Sequence, residues 1–240
     1  MMARASLAAI ALALTVVAWA QDKSLLFSSR KAGDPVTAPL RVISLPKVPP
    51  NQFEFASDEG RTVLKSVSVA SAGSIGIPLA APPADHRQLS WQWKVGNVVN
   101  AANMDQKSGD DFAARLYVFF DVPMESLTFF ERTRIRFARM FFSADVPTAA
   151  LCYVWDNKQT VGYTRFSPYT SRVRVIVLQS GGANAGKWIS ESRDVAADFR
   201  QAFGSAAPAI TGVAVGNDTD QTRESVVAWF GDIVFGEPKS

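Results

Sequence analysis

In this 240-residue chain, aspartates in two short segments are the clearest candidates for binding a cation or a polar ligand. Asp110 and Asp111 follow Gly109, and two adjacent acids at a tight turn can bind a cation or a sugar hydroxyl. Asp218 and Asp220 have the D-x-D spacing with which a calcium loop begins, although the glycine and glutamate that complete an EF-hand are missing. The alternative for the first segment is a turn whose aspartates accept hydrogen bonds from their own backbone.

Basic residues recur on the polar sides of several alternating segments. Neighbouring side chains of a strand point to opposite faces, so apolar residues that face the core place the residues between them outside. An outer face with several guanidinium groups would bind a carboxylate, a phosphate or a polyhydroxyl ligand, since arginine offers planar, bidentate donors. The alternative is a solvated face that merely carries charge. The residues predicted to share this face are Gln92, Lys94, Arg115, Tyr117, Arg172 and Arg174.

Two tryptophans stand beside polar residues. Trp155 precedes Asp156, and Trp188 lies two positions before Ser190. An indole ring in such a place can stack on a sugar, so Trp155 and Asp156 belong to the predicted ligand site. The alternative role for both rings is packing in the core.

Other catalytic and metal-binding chemistries have little support. The single cysteine, Cys152, and the single histidine, His86, exclude a disulfide framework, a Cys-rich zinc site and a multi-histidine metal centre. The chain contains no G-x-S-x-G, no phosphate-binding glycine loop and no H-E-x-x-H motif. No cofactor is expected apart from a structural calcium ion. A hydrolase that uses two of the aspartates 110, 111, 156 and 218 stays open, because its acids need only meet in space, about 5 to 10 Å apart.

The composition and the first residues predict an exported globular protein. Hydrophobic residues are 48% and charged residues 20% of the chain, which excludes a disordered or collagen-like protein. A net charge of +3 is too small to indicate a nucleic-acid partner. Residues 1–20 have a basic start, an apolar run and a small-x-small end, which predicts a cleaved signal peptide and a periplasmic or secreted location. Residues 21–50 are predicted to be irregular, and residues 51–240 to form a single domain.

Short alternating segments separated by proline and glycine predict a mostly β protein, a two-sheet β-sandwich with one or two short helices. In residues 89–95 the apolar side includes Trp91 and Trp93, which are expected in the core. In residues 62–69 the valines are expected inside. Residues 193–203 predict a helix with Asp194 as its N-cap and Gly204 as its terminator.

A basic and aromatic segment, residues 126–142, fits a helix better than a strand. Arg132, Arg136 and Arg139 form one helical stripe. Arg132, Arg134 and Arg136 also alternate, as they would on one face of a strand. Such a segment can lie on an anionic membrane surface as a peripheral contact, or it can pack over a sheet with its guanidinium groups in solvent.

Several segments resemble the domain of unknown function 3047 family of exported bacterial proteins, over about residues 50–236. They are Leu89–Val95, Lys107–Arg115, Tyr153–Asn157, Pro168–Arg172, Trp188–Glu191, Asp198–Arg200, and Asn217–Asp220 together with Phe230–Ile233. The strand pattern is similar to galactose-binding-like jelly rolls, the architecture of many carbohydrate-binding modules. That similarity implies a structural cation held by Asp232. Asp218 and Asp220, by their D-x-D spacing, are the other metal candidates.

Together these observations predict a non-catalytic binding module for a small polar ligand, either a carbohydrate or an anionic group. The predicted ligand-binding residues are Lys94, Asp110, Asp111, Arg115, Tyr117, Trp155, Asp156, Arg172 and Arg174. A carboxylate-dependent glycan hydrolase of the cell envelope is one alternative. An envelope protein that docks through its basic segment is the other.

Overall fold

Two packed β-sheets make up most of the molecule. The computed structural model describes residues 24–79, 88–129, 132 and 147–236. The described strands are β1 (Ser24–Leu25), β2 (Arg41–Ile43), β3 (Gln52–Asp58), β4 (Arg61–Val69), β5 (Ala72–Pro78), β6 (Gln88–Val95), β7 (Phe112–Phe120), β8 (Ala149–Asp156), β9 (Thr164–Ser167), β10 (Thr170–Ser180), β11 (Ile189–Asp194), β12 (Ile210–Asp218), β13 (Ser225–Phe230) and β14 (Ile233–Gly236). The described α-helix is α1 (Val195–Phe203). The predicted mostly β, two-sheet sandwich is confirmed.

Within the described residues each sheet has seven strands. The first sheet has the order β1-β14-β6-β13-β4-β3, and β11 pairs with β6 as well. The second has the order β2-β5-β12-β7-β8-β10-β9. Most neighbours are antiparallel, whereas β8 and β10 run parallel. The pairing of β7 with β12 sets Phe112 opposite Asp218, which brings together residues more than 100 positions apart in sequence.

The main core lies between the two sheets. Trp91 and Trp93 of the first sheet pack against Tyr153 and Trp155 of the second, with ring centroids 5.4 and 6.1 Å apart. The core position expected for Trp91 and Trp93 is therefore confirmed. A second, smaller apolar cluster covers the outer face of the second sheet and contains Met104, Phe112, Cys152, Val154, Val175 and Val177. Burial raises the pKa of the Cys152 thiol to about 12, so this cysteine is not a nucleophile at neutral pH.

The predicted helix is confirmed at both ends. The side chain of Asp194 accepts hydrogen bonds from the backbone N–H groups of Ala196 and Ala197. Gly204 ends the helix in the left-handed region, with φ 73°. Inside the helix, Phe199 packs on Phe120 of the second sheet at 4.6 Å between ring centroids.

Asp198 attaches this helix to both sheets. Its carboxylate accepts a hydrogen bond from the Tyr153 hydroxyl at 2.7 Å and pairs with the guanidinium of Arg193. The Asp198 side chain is only 7% exposed, so these donors replace water almost completely. The tyrosine comes from β8 and the arginine from β11, so one carboxylate joins the two layers.

Replacing Asp198 with asparagine is expected to lower the free energy of unfolding by about 1–2 kcal/mol, because the ion pair with Arg193 is lost and one of the two buried acceptor oxygens becomes an NH₂ donor. Urea denaturation of the two proteins measures the difference. Asp105→Asn is the matched control: this exposed carboxylate pairs with Arg165, and an exposed ion pair contributes about 0–1 kcal/mol. Equal losses in the two variants would contradict the structural role of Asp198.

The faces of β4 are the reverse of the prediction. Ser66 and Ser68 are fully buried, whereas Val69 is 64% exposed. The serines point inward because they find partners there: the Asn217 side chain accepts from Ser66, and the Ser68 hydroxyl lies 2.8 Å from that of Thr219. Six side chains form this inter-sheet network: Asn51, Ser66, Ser68, Ser71, Asn217 and Thr219.

The segment predicted to be irregular is partly ordered into strands. β1 pairs with β14 in the first sheet, and β2 pairs with β5 in the second. Residues 1–20 and most of the basic segment 126–142 lie outside the described residues, so the signal peptide and the membrane-docking helix stay predictions. Among the helices of the described part of the chain, none combines the length and the apolar character that crossing a membrane requires.

Candidate functional sites

Four aspartates of the predicted sites meet at one end of the second sheet. We name Asp110, Asp111, Asp218 and Asp220 the acidic cluster. Asp110 and Asp111 end the loop that enters β7, after a 3-10 turn at Lys107–Gly109. Asp218 is the last residue of β12, the neighbour of β7, so strand pairing brings the two segments together. One carboxylate oxygen from each of aspartates 111, 218 and 220 lies within 4.8 Å of the others.

Arg115 stands in the middle of these acids. Its Nε donates to Asp218 Oδ1 at 2.9 Å, and its Nη2 donates to Asp218 Oδ2 and to the Asp110 carbonyl oxygen. Its Nη1 donates to the Tyr117 hydroxyl at 2.9 Å. The Arg115 side chain is 11% exposed. The guanidinium is therefore enclosed and already paired, and it is not available to bind an anion from solution.

The acids of the cluster are hard to ionise together. Burial raises the pKa of Asp218 to about 8 despite the lowering effect of Arg115, and the charges on Asp111 and Asp110 raise it further. Burial and the neighbouring Asp111 also raise the pKa values of Asp110 and Asp220. Asp111 is 1% exposed, and its carboxylate accepts the backbone N–H groups of residues 221 and 222. These bonds give Asp111 a structural role in a turn, in addition to its candidate role as a ligand. These carboxyl groups are close enough for a two-acid hydrolase, but Asp110, Asp111 and Asp218 are at most 9% exposed.

Three of the predicted basic ligands do not lie with Arg115. Lys94 belongs to the first sheet, where its Nζ pairs with Asp58. Arg172 and Arg174 lie in the second sheet but on its other face: Arg174 is in register with core residue Leu151, whereas Arg115 is in register with Val154 of the outer cluster. The predicted common face is therefore wrong, because Ile176 and Leu178, and not the valines of β10, face the main core.

The other residues predicted to bind a ligand or a metal have structural roles. Trp155 has no exposed surface, and its Nε1 donates to the carbonyl oxygen of Gly181 at 3.0 Å. No face of this ring is open to a sugar, so the interpretation as a stacking platform is wrong. The Asp156 carboxylate accepts the backbone N–H groups of residues 158 and 159 in a turn. Asp232 lies in the first sheet, away from Asp218 and Asp220, and holds the backbone N–H and hydroxyl of Ser28.

A polar groove crosses the outer face of the first sheet. Its volume is about 400 Å³, within the range of small-molecule sites. Hydroxyl and amide side chains of the paired strands β6 and β11 line it: Gln92 Nε2 donates to Ser190 Oγ at 2.8 Å, and the hydroxyls of Ser90 and Ser192 lie 3.0 Å apart. Residues 28, 61, 62, 91, 191, 231, 232 and 234 complete the lining.

Aromatic and charged side chains extend this face beside the groove. The Arg61 guanidinium lies 4.2 Å from the ring centroid of Trp188, and its Nη1 donates to Gln92 Oε1. Asp58 accepts from the Trp188 indole N–H at 2.6 Å and from Lys94. Although burial acts to raise it, these hydrogen bonds from Lys94 and Trp188 bring the pKa of Asp58 below its usual value. The ring of the half-buried Trp229 lies beside them, with its centroid 4.8 Å from Lys94 Nζ. We name these side chains the groove rim: Asp58, Arg61, Gln92, Lys94, Trp188 and Trp229.

Sequence reasoning placed Gln92 and Lys94 outside and proposed Trp188 for stacking, but it missed Asp58 and Arg61. These two residues flank the β3–β4 turn, where Asp58 and Arg61 form the closing pair of the hairpin. A charged pair at a hairpin turn is a weak signal, because turns are usually polar. The segment Trp188–Glu191 was noted for its resemblance, and its role as a strand beside β6 is a finding of the structure.

Comparisons with known proteins bear on the family and not on the ligand. A family model described as "Protein of unknown function (DUF3047)" matches residues 38–234. No curated protein sequence matches the chain. Among solved structures, the chain is similar to the xyloglucanase domain of NopAA, a type three effector from Sinorhizobium fredii, in complex with cellobiose. The identity is 10% and the TM-score 0.43, over 84% of this chain and 99% of that one.

Proposed function

The chain belongs to the DUF3047 family, and we propose that it is an exported, non-catalytic module that binds a neutral glycan in the polar groove. The observation that carries the proposal is the row of solvent-facing hydroxyl and amide groups on β6 and β11, bordered by the half-buried ring of Trp188. Sugar hydroxyls exchange hydrogen bonds with such a row, and the apolar face of a sugar packs on an indole. Export follows from the signal peptide predicted for residues 1–20.

The charges of this face favour a neutral ligand over an anionic one. Arg61 and Lys94 are the basic side chains of the groove rim, and Asp58 interacts with both. One further acid, Asp232, lines the groove, whereas the Glu191 carboxylate lies on the other face of β11 and accepts from Trp93 Nε1 and Gln179 Nε2. An anion would meet no excess positive charge there, and the guanidinium of Arg115 is occupied on the other sheet. Of the two ligand classes that the sequence left open, a neutral carbohydrate therefore fits this face better than an anionic group.

Three segments that carry the family resemblance line the groove. Ser90–Gln92 belong to the segment of β6, Ser190 and Glu191 to the segment of β11, and Gly231 and Asp232 to the segment between β13 and β14. Segments far apart in sequence thus contribute neighbouring polar groups to one surface, which is the usual construction of a ligand site.

Titration calorimetry with a panel of tetrasaccharides tests the proposal. The neutral members are cellotetraose, maltotetraose, mannotetraose and chitotetraose in its N-acetylated form, and the acidic member is tetragalacturonate. We expect binding of at least one neutral member and weaker binding of the acidic one. Trp188→Ala is expected to weaken that binding by about tenfold or more, which corresponds to about 1.4 kcal/mol. Gln92→Ala is expected to weaken it about three- to tenfold, since it removes one hydrogen-bonding group.

Tyr169→Ala is the matched control, because it removes an exposed ring, 48% accessible, from the second sheet. It is expected to bind the panel as the unchanged protein does, and circular dichroism confirms that each variant is folded. The proposal is wrong if no panel member binds at millimolar concentration. The groove is the wrong site if binding persists unchanged in Trp188→Ala and Gln92→Ala.

A further inference from the structure

We propose that the acidic cluster is a calcium site, separate from the glycan groove and independent of its function. The cluster and the groove lie on different sheets, so the two assignments can fail separately. One oxygen from each of Asp111, Asp218 and Asp220 lies within 4.8 Å of the others. Oxygens that share one calcium ion at 2.3–2.6 Å cannot be further apart than about 5 Å, so this spacing fits a common ion.

Enclosed oxygens without donors are the second observation. Asp110 is 7% exposed, and its Oδ1 has no hydrogen-bond partner among the described residues. Asp220 Oδ1 and Gln221 Oε1 are also enclosed, and neither has a hydrogen-bond partner among the residues that the structure describes. Carboxylate and amide oxygens are acceptors only, so each needs a donor or a cation when water is removed. A cation held by Asp111, Asp218 and Asp220 would lie beside these oxygens, since Asp110 is close enough to interact with the charges of Asp111 and Asp220.

Contacts place these oxygens beside the cluster. Asp110 Oδ2 lies 3.9 Å from Arg115 Nη1, on the guanidinium that also binds Asp218. Gln221 donates from its backbone N–H to Asp111 and from its Nε2 to Asp220 Oδ2, which connects its side chain to two of the acids. These three oxygens therefore belong to residues that contact the acidic cluster, whereas the other unpartnered oxygens of the described residues, Asp156 Oδ2 and Asn157 Oδ1, lie at and just after the end of β8.

The charge balance also favours a cation. Four carboxylates meet one guanidinium, that of Arg115, because the nearby Arg165 is paired with Asp105. The guanidinium occupies both oxygens of Asp218 and leaves Asp111 and Asp220 without a basic partner among the ion pairs of the described residues. A divalent ion would neutralise most of the remaining charge.

The chemistry of the donors selects calcium among common ions. All candidate ligands are hard oxygens, which excludes the sulfur and imidazole donors that zinc and copper prefer. Magnesium requires a nearly ideal octahedron and keeps several waters, whereas calcium accepts irregular sets of carboxylate and amide oxygens. The candidate set, three aspartates with the side chain of Gln221 beside them, is irregular in this sense.

The test is calorimetric titration of the EDTA-treated protein with CaCl₂, and with MgCl₂ as the comparison ion. We expect one calcium per chain and much weaker magnesium binding. Calcium at a hundredfold excess over its Kd is expected to raise the Tm by about 5–10 °C, since the ion binds only the folded state. Asp220→Asn is expected to lower the calcium affinity at least tenfold. Because Asp220 is half-exposed, this variant is expected to fold.

Asp232→Asn is the matched control, because Asp232 was the other metal candidate and lies on the first sheet. It is expected to bind calcium as the unchanged protein does. Absence of calcium binding at 10 mM CaCl₂ overturns the proposal, and so does an equal Tm increase in Asp220→Asn and the unchanged protein. Loss of calcium binding in Asp232→Asn alone would move the site to the first sheet and overturn it as well. Glycan affinity is also measured in EDTA, so that failure of the calcium site can be distinguished from failure of the glycan groove.

Discussion

Replacing Trp155 with alanine is expected to lower the free energy of unfolding by about 3–5 kcal/mol, the usual cost of emptying the place of a large buried aromatic side chain. Trp155 has no exposed surface, and its ring packs 6.1 Å from that of Trp93 across the two sheets. The variant also leaves the carbonyl oxygen of Gly181 without its indole donor. Both effects act on the folded state and neither involves a ligand.

Urea denaturation monitored by circular dichroism measures this loss. Trp155→Phe is the graded control: it keeps an aromatic ring in the core, removes the indole donor and leaves a smaller cavity, so it is expected to cost clearly less. If Trp155→Ala unfolds at the same urea concentration as the unchanged protein while glycan affinity falls, the ring is a binding residue and the core assignment is wrong.

Gly216→Ala is expected to lower the free energy of unfolding by about 3 kcal/mol or more, at the upper end of what overpacking costs. A Cβ atom at this position would lie 2.1 Å from the carbonyl oxygen of Gly73 and 2.7 Å from Ser74 Oγ. Gly73 and Ser74 belong to β5, the neighbouring strand, so the backbone of β5 or β12 has to move. Side-chain rotation cannot relieve a contact with a carbonyl oxygen.

Gly182→Ala is the matched control, since a Cβ at that position would meet no atom within 4 Å. It is expected to change stability by less than about 0.5 kcal/mol. Thermal and urea denaturation of both variants provide the comparison. Similar stabilities for the two would show that β5 and β12 are further apart than the structure has them.

Local patterns were sufficient to predict the elements that depend on neighbouring residues. The alternation in residues 89–95 predicted which side of β6 enters the core, and Asp194 and Gly204 predicted both ends of α1. Capping and alternation depend on positions one to four apart, which a single sequence contains. Asp194 reaches only as far as Ala197, for example.

Faces were predicted wrongly where polar side chains have partners on distant strands. Ser66 and Ser68 were predicted to face solvent, but they hydrogen-bond in the core to Asn217 and Thr219, about 150 positions later. In β10 both alternating sets are apolar over its second half, and a small cluster above the outer face buries Val175 and Val177 as well. A pattern with two apolar sides does not indicate which side faces the other sheet.

The acidic cluster was predicted as separate pieces. The turn at Asp110 and the D-x-D spacing at Asp218 each suggested a ligand site, but their meeting depends on the pairing of β7 with β12. Arg115 could not be identified as internal, because its main partners, Asp218 of β12 and the Asp110 carbonyl oxygen in the preceding loop, lie outside its own strand. The groove rim was harder still, since Arg61, Gln92 and Trp188 come from three segments.

The inter-sheet network sets how the two layers are aligned. Asn51 and Ser66 both bond to Asn217, and Ser68 bonds to Thr219 across the layers. Sliding one layer by one residue, about 3.3 Å, would break these bonds together and leave buried amides and hydroxyls unpaired, at about 1–3 kcal/mol each. Sliding of one layer over the other is therefore opposed. A sugar in the groove of the first sheet and an ion at the acidic cluster of the second sheet would therefore stay at a constant distance. Neither would obstruct the approach of the other.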